Sequence, residues 1–211
     1  PDRNDVVTFA IAAQVTKGDI FIEGSKEEYI EDFLTKLDEA GGGYEIKPDG
    51  IRFFYKGSLK AVDVTTAPHP GFMTDWQAPW GVLMTQAEGT SIIHETVFEN
   101  KLGYINDLKK MGAKVALFNP KVENPEKVYN FNLDDDHPEY FHAVKITGPS
   151  ELHNAVVAMK DIRAGAAVVI AALAAQGTST IFEVDKLDRG YEDFENRMNK
   201  LGADIKRVTE E

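Results

Sequence analysis

The stretch Ala164-Gly165-Ala166-Ala167-Val168-Val169-Ile170-Ala171-Ala172-Leu173-Ala174-Ala175 is apolar around nearly every face of a helix. It is closed by Gln176-Gly177 and followed by a β-type run, Thr178–Phe182. A helix apolar on all sides must be enclosed by protein, and this one falls short of the roughly 18 residues a membrane span needs. The same order of apolar helix, small turn with Gly and short β run occurs twice upstream. Thr8–Ala13 leads to Lys17-Gly18 and Asp19–Ile22, and Gly81–Met84 leads to Glu88-Gly89 and Thr90–Ile93. Each run is followed by a second helix that stops at a glycine: Gly41, Gly112 or Gly202. Gly18 to Gly41 and Gly89 to Gly112 both span 23 positions, and Gly177 to Gly202 spans 25. Such spacing marks an internal repeat, and a Gly at a helix end suits a left-handed cap.

The second helices are one-sided. Tyr29, Ile30, Phe33, Leu34 and Leu37 form one stripe, and Tyr191, Phe194, Met198 and Leu201 another. Strands are expected at Tyr44–Lys47, Ile51–Tyr55, Ala61–Val64, Val115–Phe118, Ala143–Ile146 and Ile205–Val208. The reading is an α/β fold of three βαβαβ(β) units, about 1–64, 65–154 and 155–211, forming one pseudo-threefold domain with helices inside and sheets toward solvent. The third unit looks short of strands, so chain preceding Pro1 is expected to complete it. Pro1 in place of Met reads as a processed product or a piece of something longer.

Composition narrows the function. The 211 residues carry 35 Asp+Glu against 23 Lys+Arg, a formal net charge of −12. That balance opposes a broad nucleic-acid or anionic-membrane surface, but a few clustered Arg residues can still hold a small anion. With no cysteine, disulfides, thiolate metal sites and Cys nucleophiles are excluded within this chain. A cytoplasmic location is compatible with this. No Walker loop, dinucleotide fingerprint or nucleophile elbow is present. The acidic run Asp134-Asp135-Asp136-His137-Pro138-Glu139 lacks EF-hand or zinc spacing and reads as a solvated loop, so no metal or cofactor is expected.

Four places could carry chemistry. In Ala67-Pro68-His69-Pro70-Gly71-Phe72-Met73-Thr74-Asp75-Trp76-Gln77, Thr74 reads as an N-cap with Gln77 completing a capping box. Asp75 then reads either as a first-turn acid favoured by the helix dipole or as a general base at a loop–helix junction. Pro79 is expected to disturb the helix one turn in. Asp161-Ile162-Arg163 opens the most apolar helix with a cation the dipole opposes; Asp161 is its expected partner, or Arg163 binds an anion. Asp188-Arg189-Gly190-Tyr191 reads as a second Asp–Arg pair at a helix start, either a surface pair or part of a shared phosphate or carboxylate site. Finally, the Val97 backbone beside Phe98 is either a plain loop or a grip for a sugar amide.

These same residues carry a resemblance. Thr66–Phe72, Thr74-Asp75, Glu95-Thr96-Val97-Phe98-Glu99-Asn100, Asp161-Ile162-Arg163-Ala164 and Asp188-Arg189-Gly190-Tyr191-Glu192 resemble, in order, strings of the UDP-N-acetylglucosamine 1-carboxyvinyltransferase family. So does the opening Pro1-Asp2-Arg3 with Thr8-Phe9. The likeness implies the C-terminal of two domains, each an inside-out α/β barrel of three repeats. It implies transfer of the enolpyruvyl group of phosphoenolpyruvate to the 3′-hydroxyl of UDP-N-acetylglucosamine in peptidoglycan synthesis.

By the same resemblance, Asp75 takes the hydroxyl proton, and Val97 and Phe98 meet the sugar. Arg163 and Arg189 bind phosphoenolpyruvate, and Thr74, Asp161 and Asp188 support them. The family's Cys or Asp proton donor, its uridine-binding residues and a Lys lie in the N-terminal domain, so this chain alone is expected to be inactive. Lys101 stands where the family usually has Arg, and the stretch from Asn119 to Asn154 is longer than expected and reads as a hairpin. The alternatives are a domain of the related enzyme acting on shikimate 3-phosphate, or a non-catalytic repeat module binding an anion or a protein.

Overall fold

The computed structural model describes residues 1–208. In chain order the elements are α1 (Arg3–Val15), β1 (Asp19–Glu23), α2 (Glu31–Glu39), β2 (Gly43–Lys47), β3 (Gly50–Phe54), β4 (Val64–Thr65), α3 (Thr74–Thr85), β5 (Gly89–His94), α4 (Ile105–Lys110), β6 (Lys114–Phe118), α5 (Pro125–Val128), β7 (Ala143–Gly148), β8 (Val156–Ala158), α6 (Ile162–Ala174), β9 (Thr180–Phe182), α7 (Asp185–Asp188) and α8 (Phe194–Lys200). The apolar helices α1, α3 and α6 pack on one another at the centre, and the sheets lie outside them. This is an inside-out α/β barrel of three repeats. The strands form an antiparallel sheet β1-β3-β2, a sheet β4-β5-β7-β6 in which only β4 and β5 run parallel, and a parallel pair β8-β9.

Each repeat closes its one-sided helix as its glycine requires. Gly41, Gly112 and Gly202 have φ of +81°, +95° and +102°, a region a side chain disfavours. The stripes dock inward through Phe33, Leu34 and Leu37 on α2 and Phe194 and Met198 on α8. Tyr29 and Leu201, also expected in those stripes, lie beyond the helix ends and are exposed. Phe33 and Phe72 meet Trp76 and Trp80 of α3 edge to face, at centroid distances of 5.5–6.3 Å. Edge-to-face pairs add about 0.5–1.5 kcal/mol each beyond burial. Trp76 Nε1 donates to Asn4 Oδ1 at 3.0 Å, tying α3 to α1.

Pro79 does not break α3. It has no N–H to give the Asp75 carbonyl four residues back, yet the helix is continuous from Thr74 to Thr85 with Pro79 buried. The omitted bond falls in the first turn, where one missing donor leaves the rest of the ladder intact. Gly81 on the same helix admits Tyr104, whose Oη would lie 2.7 Å from an added Cβ.

The third repeat departs from expectation. Ile205–Val208 is not a strand, so β8 and β9 stand as a pair with Val156 68% and Phe182 47% exposed. The end of α6, Ala172–Ala175, is consequently only half-buried. The helix with the most apolar sequence is the least enclosed of the three. The strand expected at Ala61–Val64 shrinks to Val64–Thr65. The long segment after Asn119 is the connection between the paired strands β6 and β7 and carries α5 and a short 3-10 turn, Leu133–Asp135.

Candidate functional site

The N-terminal ends of α3 and α6 meet at a cleft of about 380 Å³. Asp75 lies in the first turn of α3 and Arg163 in the first turn of α6, and Arg163 Nε stands 3.5 Å from Asp75 Oδ1. Arg189, which follows α7, lines the same cleft, as do Lys101, Lys160 and Lys186. Five basic side chains therefore face two acidic ones, Asp75 and Asp161, in a chain whose net charge is −12. Such a concave basic spot focuses potential on an anion despite the overall charge.

Arg163 is held against an aromatic face as well as by charge. Its guanidinium carbon sits 5.0 Å from the ring centroid of Tyr191, and the Tyr191 hydroxyl is 2.8 Å from Thr8 Oγ1 of α1. Burial pulls the guanidinium down, but Tyr191, Asp75 and Asp2 outweigh it and hold the group above its ordinary value. Burial also pushes the Tyr191 phenol up, so both members keep their neutral-pH forms. Arg163 Nη1 is buried, and among the described residues no acceptor reaches it. An unused buried donor beside a basic cleft is a place for a ligand oxygen.

Several sequence expectations need correcting here. Asp161 does not pair with Arg163. It caps α6, accepting from the Ala164 N–H at 2.8 Å, which satisfies a donor the helix start would leave open. Asp188 does not pair with Arg189 either. It takes a two-pronged bond from Arg207, at 2.7 and 2.6 Å. The string Asp188-Arg189 is also not a helix start, because Arg189 sits at the C-terminal end of α7. Thr74 is not an N-cap. That position is Met73, without a side-chain cap, and the Thr74 hydroxyl instead donates to Glu95 Oε2 at 2.7 Å. Gln77 completes no capping box; it binds the Lys101 carbonyl and the Tyr104 hydroxyl.

Val97 and Phe98 lie beside the cleft rather than on its lining. Lys101 bridges the two, lining the cleft with its Nζ 5.3 Å from the Phe98 ring centroid. The Val97 and Phe98 amides are already engaged by Glu95 Oε1, at 2.7 and 3.1 Å, which leaves the Val97 carbonyl as the backbone group on offer. Among the described residues no cluster of three or more His, Asp or Glu is arranged to hold a metal ion. In the acidic run Asp136 accepts from His142 Nε2 at 3.1 Å.

Residues 1–198 match the sequence profile of EPSP synthase (3-phosphoshikimate 1-carboxyvinyltransferase). The chain belongs to the EPSP synthase family. Its similarity to proteins named UDP-N-acetylglucosamine 1-carboxyvinyltransferase is stronger than that shared fold requires. The chain is 41% identical over 212 residues to one from Protochlamydia amoebophila, covering 100% of this chain and 44% of that protein. It is 43% identical over 207 residues to one from Chlamydia muridarum, covering 97% and 46%. Among solved structures, the enolpyruvyl transferase NikO from Streptomyces tendae superposes with a TM-score of 0.81 at 26% identity, over 98% of this chain and 44% of that one. An EPSP synthase from Acinetobacter baumannii gives 0.65 at 16% identity, a likeness of fold alone. This family member spans less than half the length of these relatives.

Two side chains of this EPSP synthase family domain escaped notice as individuals in the sequence. Tyr191 read as part of a core stripe and of a string, and Glu95 only as part of a string. Both act through partners distant in the chain (Thr8 and Arg163 for one, Thr66 and Thr74 for the other), so neither local spacing nor periodicity exposes them. Lys160 and Lys186 carried no motif at all.

Proposed function

We propose that this chain is one of the two domains of an enzyme that moves the enolpyruvyl group of phosphoenolpyruvate onto the 3′-hydroxyl of UDP-N-acetylglucosamine, a step of peptidoglycan synthesis in the cytoplasm. The domain comprises three repeats, about 1–64, 65–154 and 155–211. An N-terminal domain supplies the remaining groups, and chain from outside this sequence covers the open edges of β8 and β9. The two-stranded pairing supports the last point, because each of β8 and β9 has one edge unpaired among the described residues and an open edge favours a further strand.

In this reading the 3′-oxygen attacks C2 of phosphoenolpyruvate while Asp75 accepts the hydroxyl proton, and C3 gains a proton from the partner domain. The tetrahedral adduct then loses phosphate from C2 and a proton from C3, which restores the carbon–carbon double bond. Arg163 and Arg189 bind the phosphate and carboxylate, whose charge shifts as the phosphate leaves, and fixed guanidinium groups stabilise that shift. Asp161 acts at a distance by fixing the head of α6, and Asp188 is tied to Arg207, which leaves Arg189 available. The Val97 carbonyl and the Phe98 ring bound the sugar.

The observation that supports this most is the convergence of Asp75, Arg163 and Arg189 on one cleft from three separate parts of the chain. The names of the relatives favour the UDP-sugar over shikimate 3-phosphate as acceptor. The test is phosphate release by the complete polypeptide with both substrates. Asp75→Asn is expected to lower turnover by about 10²–10⁴-fold, the usual worth of a positioned base. Turnover equal to the unaltered enzyme would remove Asp75 from the reaction.

A further inference from the structure

Glu95 follows β5 directly, and its side chain is wholly buried. Buried carboxylates are rare because desolvation penalises the charge, so its surroundings must justify it. Oε1 accepts from Thr66 Oγ1 at 2.9 Å and from the Val97 and Phe98 amides. Among the described residues, Oε2 accepts from Thr74 Oγ1 alone. Thr66 is itself knotted to the same loop, accepting from the Thr96 N–H at 2.8 Å while its carbonyl takes the Thr96 hydroxyl at 2.6 Å. Burial pushes the Glu95 carboxyl above the usual range, and the four donors work against that push.

The two oxygens thus have separate clients. One gathers the loop of Val97 and Phe98; the other holds the first residue of α3, next to Asp75. We propose that Glu95 is a positioning residue that sets Asp75, through Thr74, at a fixed offset from the Val97–Phe98 backbone, so that base and sugar hydroxyl meet in register. This rests on the reading of Asp75 as the base. A displacement of about 1 Å at a reacting group can cost on the order of 10²-fold in rate. Among the described residues, one hydroxyl-to-carboxylate bond is the only side-chain hydrogen bond from Glu95 to this turn.

The test uses the complete polypeptide with Thr74→Val, Thr74→Ser, Glu95→Gln and Asp75→Asn, measuring kcat, the KM of the UDP-sugar and thermal unfolding. Thr74→Val keeps the shape and removes the hydroxyl. It is expected to lower kcat by about tenfold or more with KM changed less than about twofold, and Thr74→Ser is expected to restore kcat. Glu95→Gln presents an amide to Thr74 and is expected to lower kcat similarly, with the double variant little worse than either single one. If Thr74→Val and Glu95→Gln shift only the unfolding temperature while Asp75→Asn is inactive, Glu95 is structural and the inference falls alone. If Asp75→Asn turns over normally, the base assignment and this inference fall together. Should Glu95→Gln not fold, the Thr74→Val and Thr74→Ser pair decides the matter.

Discussion

The strings Asp161-Ile162-Arg163 and Asp188-Arg189 look alike on paper, and the fold treats them in opposite ways. At the first, the aspartate turns back to cap α6 and the arginine reaches forward to Asp75 and the Tyr191 face. At the second, the aspartate belongs to the last turn of α7 and is taken by Arg207, while Arg189 is exposed and, among the described residues, has no carboxylate partner. The cleft therefore pairs a pre-aimed guanidinium with an unattached one. Neighbours in sequence need not pair in space. Whether an acid stands at the start or the end of a helix decides whether it caps the helix or turns to another partner.

Conservative replacement of the two arginines separates these roles most sharply. Arg163→Lys loses the fork and the broad stacked face, and it is expected to lower kcat/KM by about 100-fold, within the range for losing a fixed transition-state donor. Arg189→Lys keeps a point charge on an unattached stem. A loss nearer tenfold is expected, chiefly in the KM of phosphoenolpyruvate, since a charged hydrogen bond is worth about 1.5–3 kcal/mol and the charge remains. Steady-state kinetics of both variants would break the comparison if the order were reversed.

Tyr191→Phe tests how Arg163 is aimed. It keeps the ring under the guanidinium and deletes the bond to Thr8, so about 1 kcal/mol, or several-fold in kcat/KM, is expected. Tyr191→Leu removes the ring as well and should cost more. Equal effects would assign the aim to the Thr8 hydrogen bond and leave the ring face no part in it.

The smallest expected effect is at Asp188. The hydrogen bonds from Arg207 hold its carboxyl below the usual carboxylate range. A depressed folded-state value contributes stability above the unfolded value of about 3.9, and that contribution is lost as pH falls through the folded one. Because the pair is largely exposed, Asp188→Asn is expected to cost only about 0–1 kcal/mol at neutral pH. The difference from the unaltered protein should vanish in acid, as thermal unfolding across pH would show.

The central helices, the glycine stops and most strands of the first two repeats were legible because they follow from local rules: apolar runs, turn glycines and alternation. The last strand expected in the third repeat was not, because Ile205–Val208 has strand-like residues but no neighbour to pair with in the described chain, and a strand exists only by pairing. At the site, Asp75, Arg163 and Arg189 stand out as charged groups interrupting apolar or turn sequence. Their partners did not stand out. The Arg163–Asp75 contact, the Arg207–Asp188 fork and the Glu95–Thr74 bond each join segments 19 or more positions apart, beyond the reach of any spacing rule. The capping box at Thr74 and Gln77 satisfied the sequence pattern and still did not form, because the helix starts one residue earlier: Thr74 is the first helical residue after Met73, and its hydroxyl donates to Glu95.

The most direct test of the account is a structure of the complete polypeptide with both substrates bound. The account predicts phosphoenolpyruvate oxygens within about 2.7–3.2 Å of both Arg163 and Arg189, with the sugar 3′-oxygen at a similar distance from Asp75. A phosphoenolpyruvate bound away from this cleft, or a 3′-oxygen facing a different base, would contradict it.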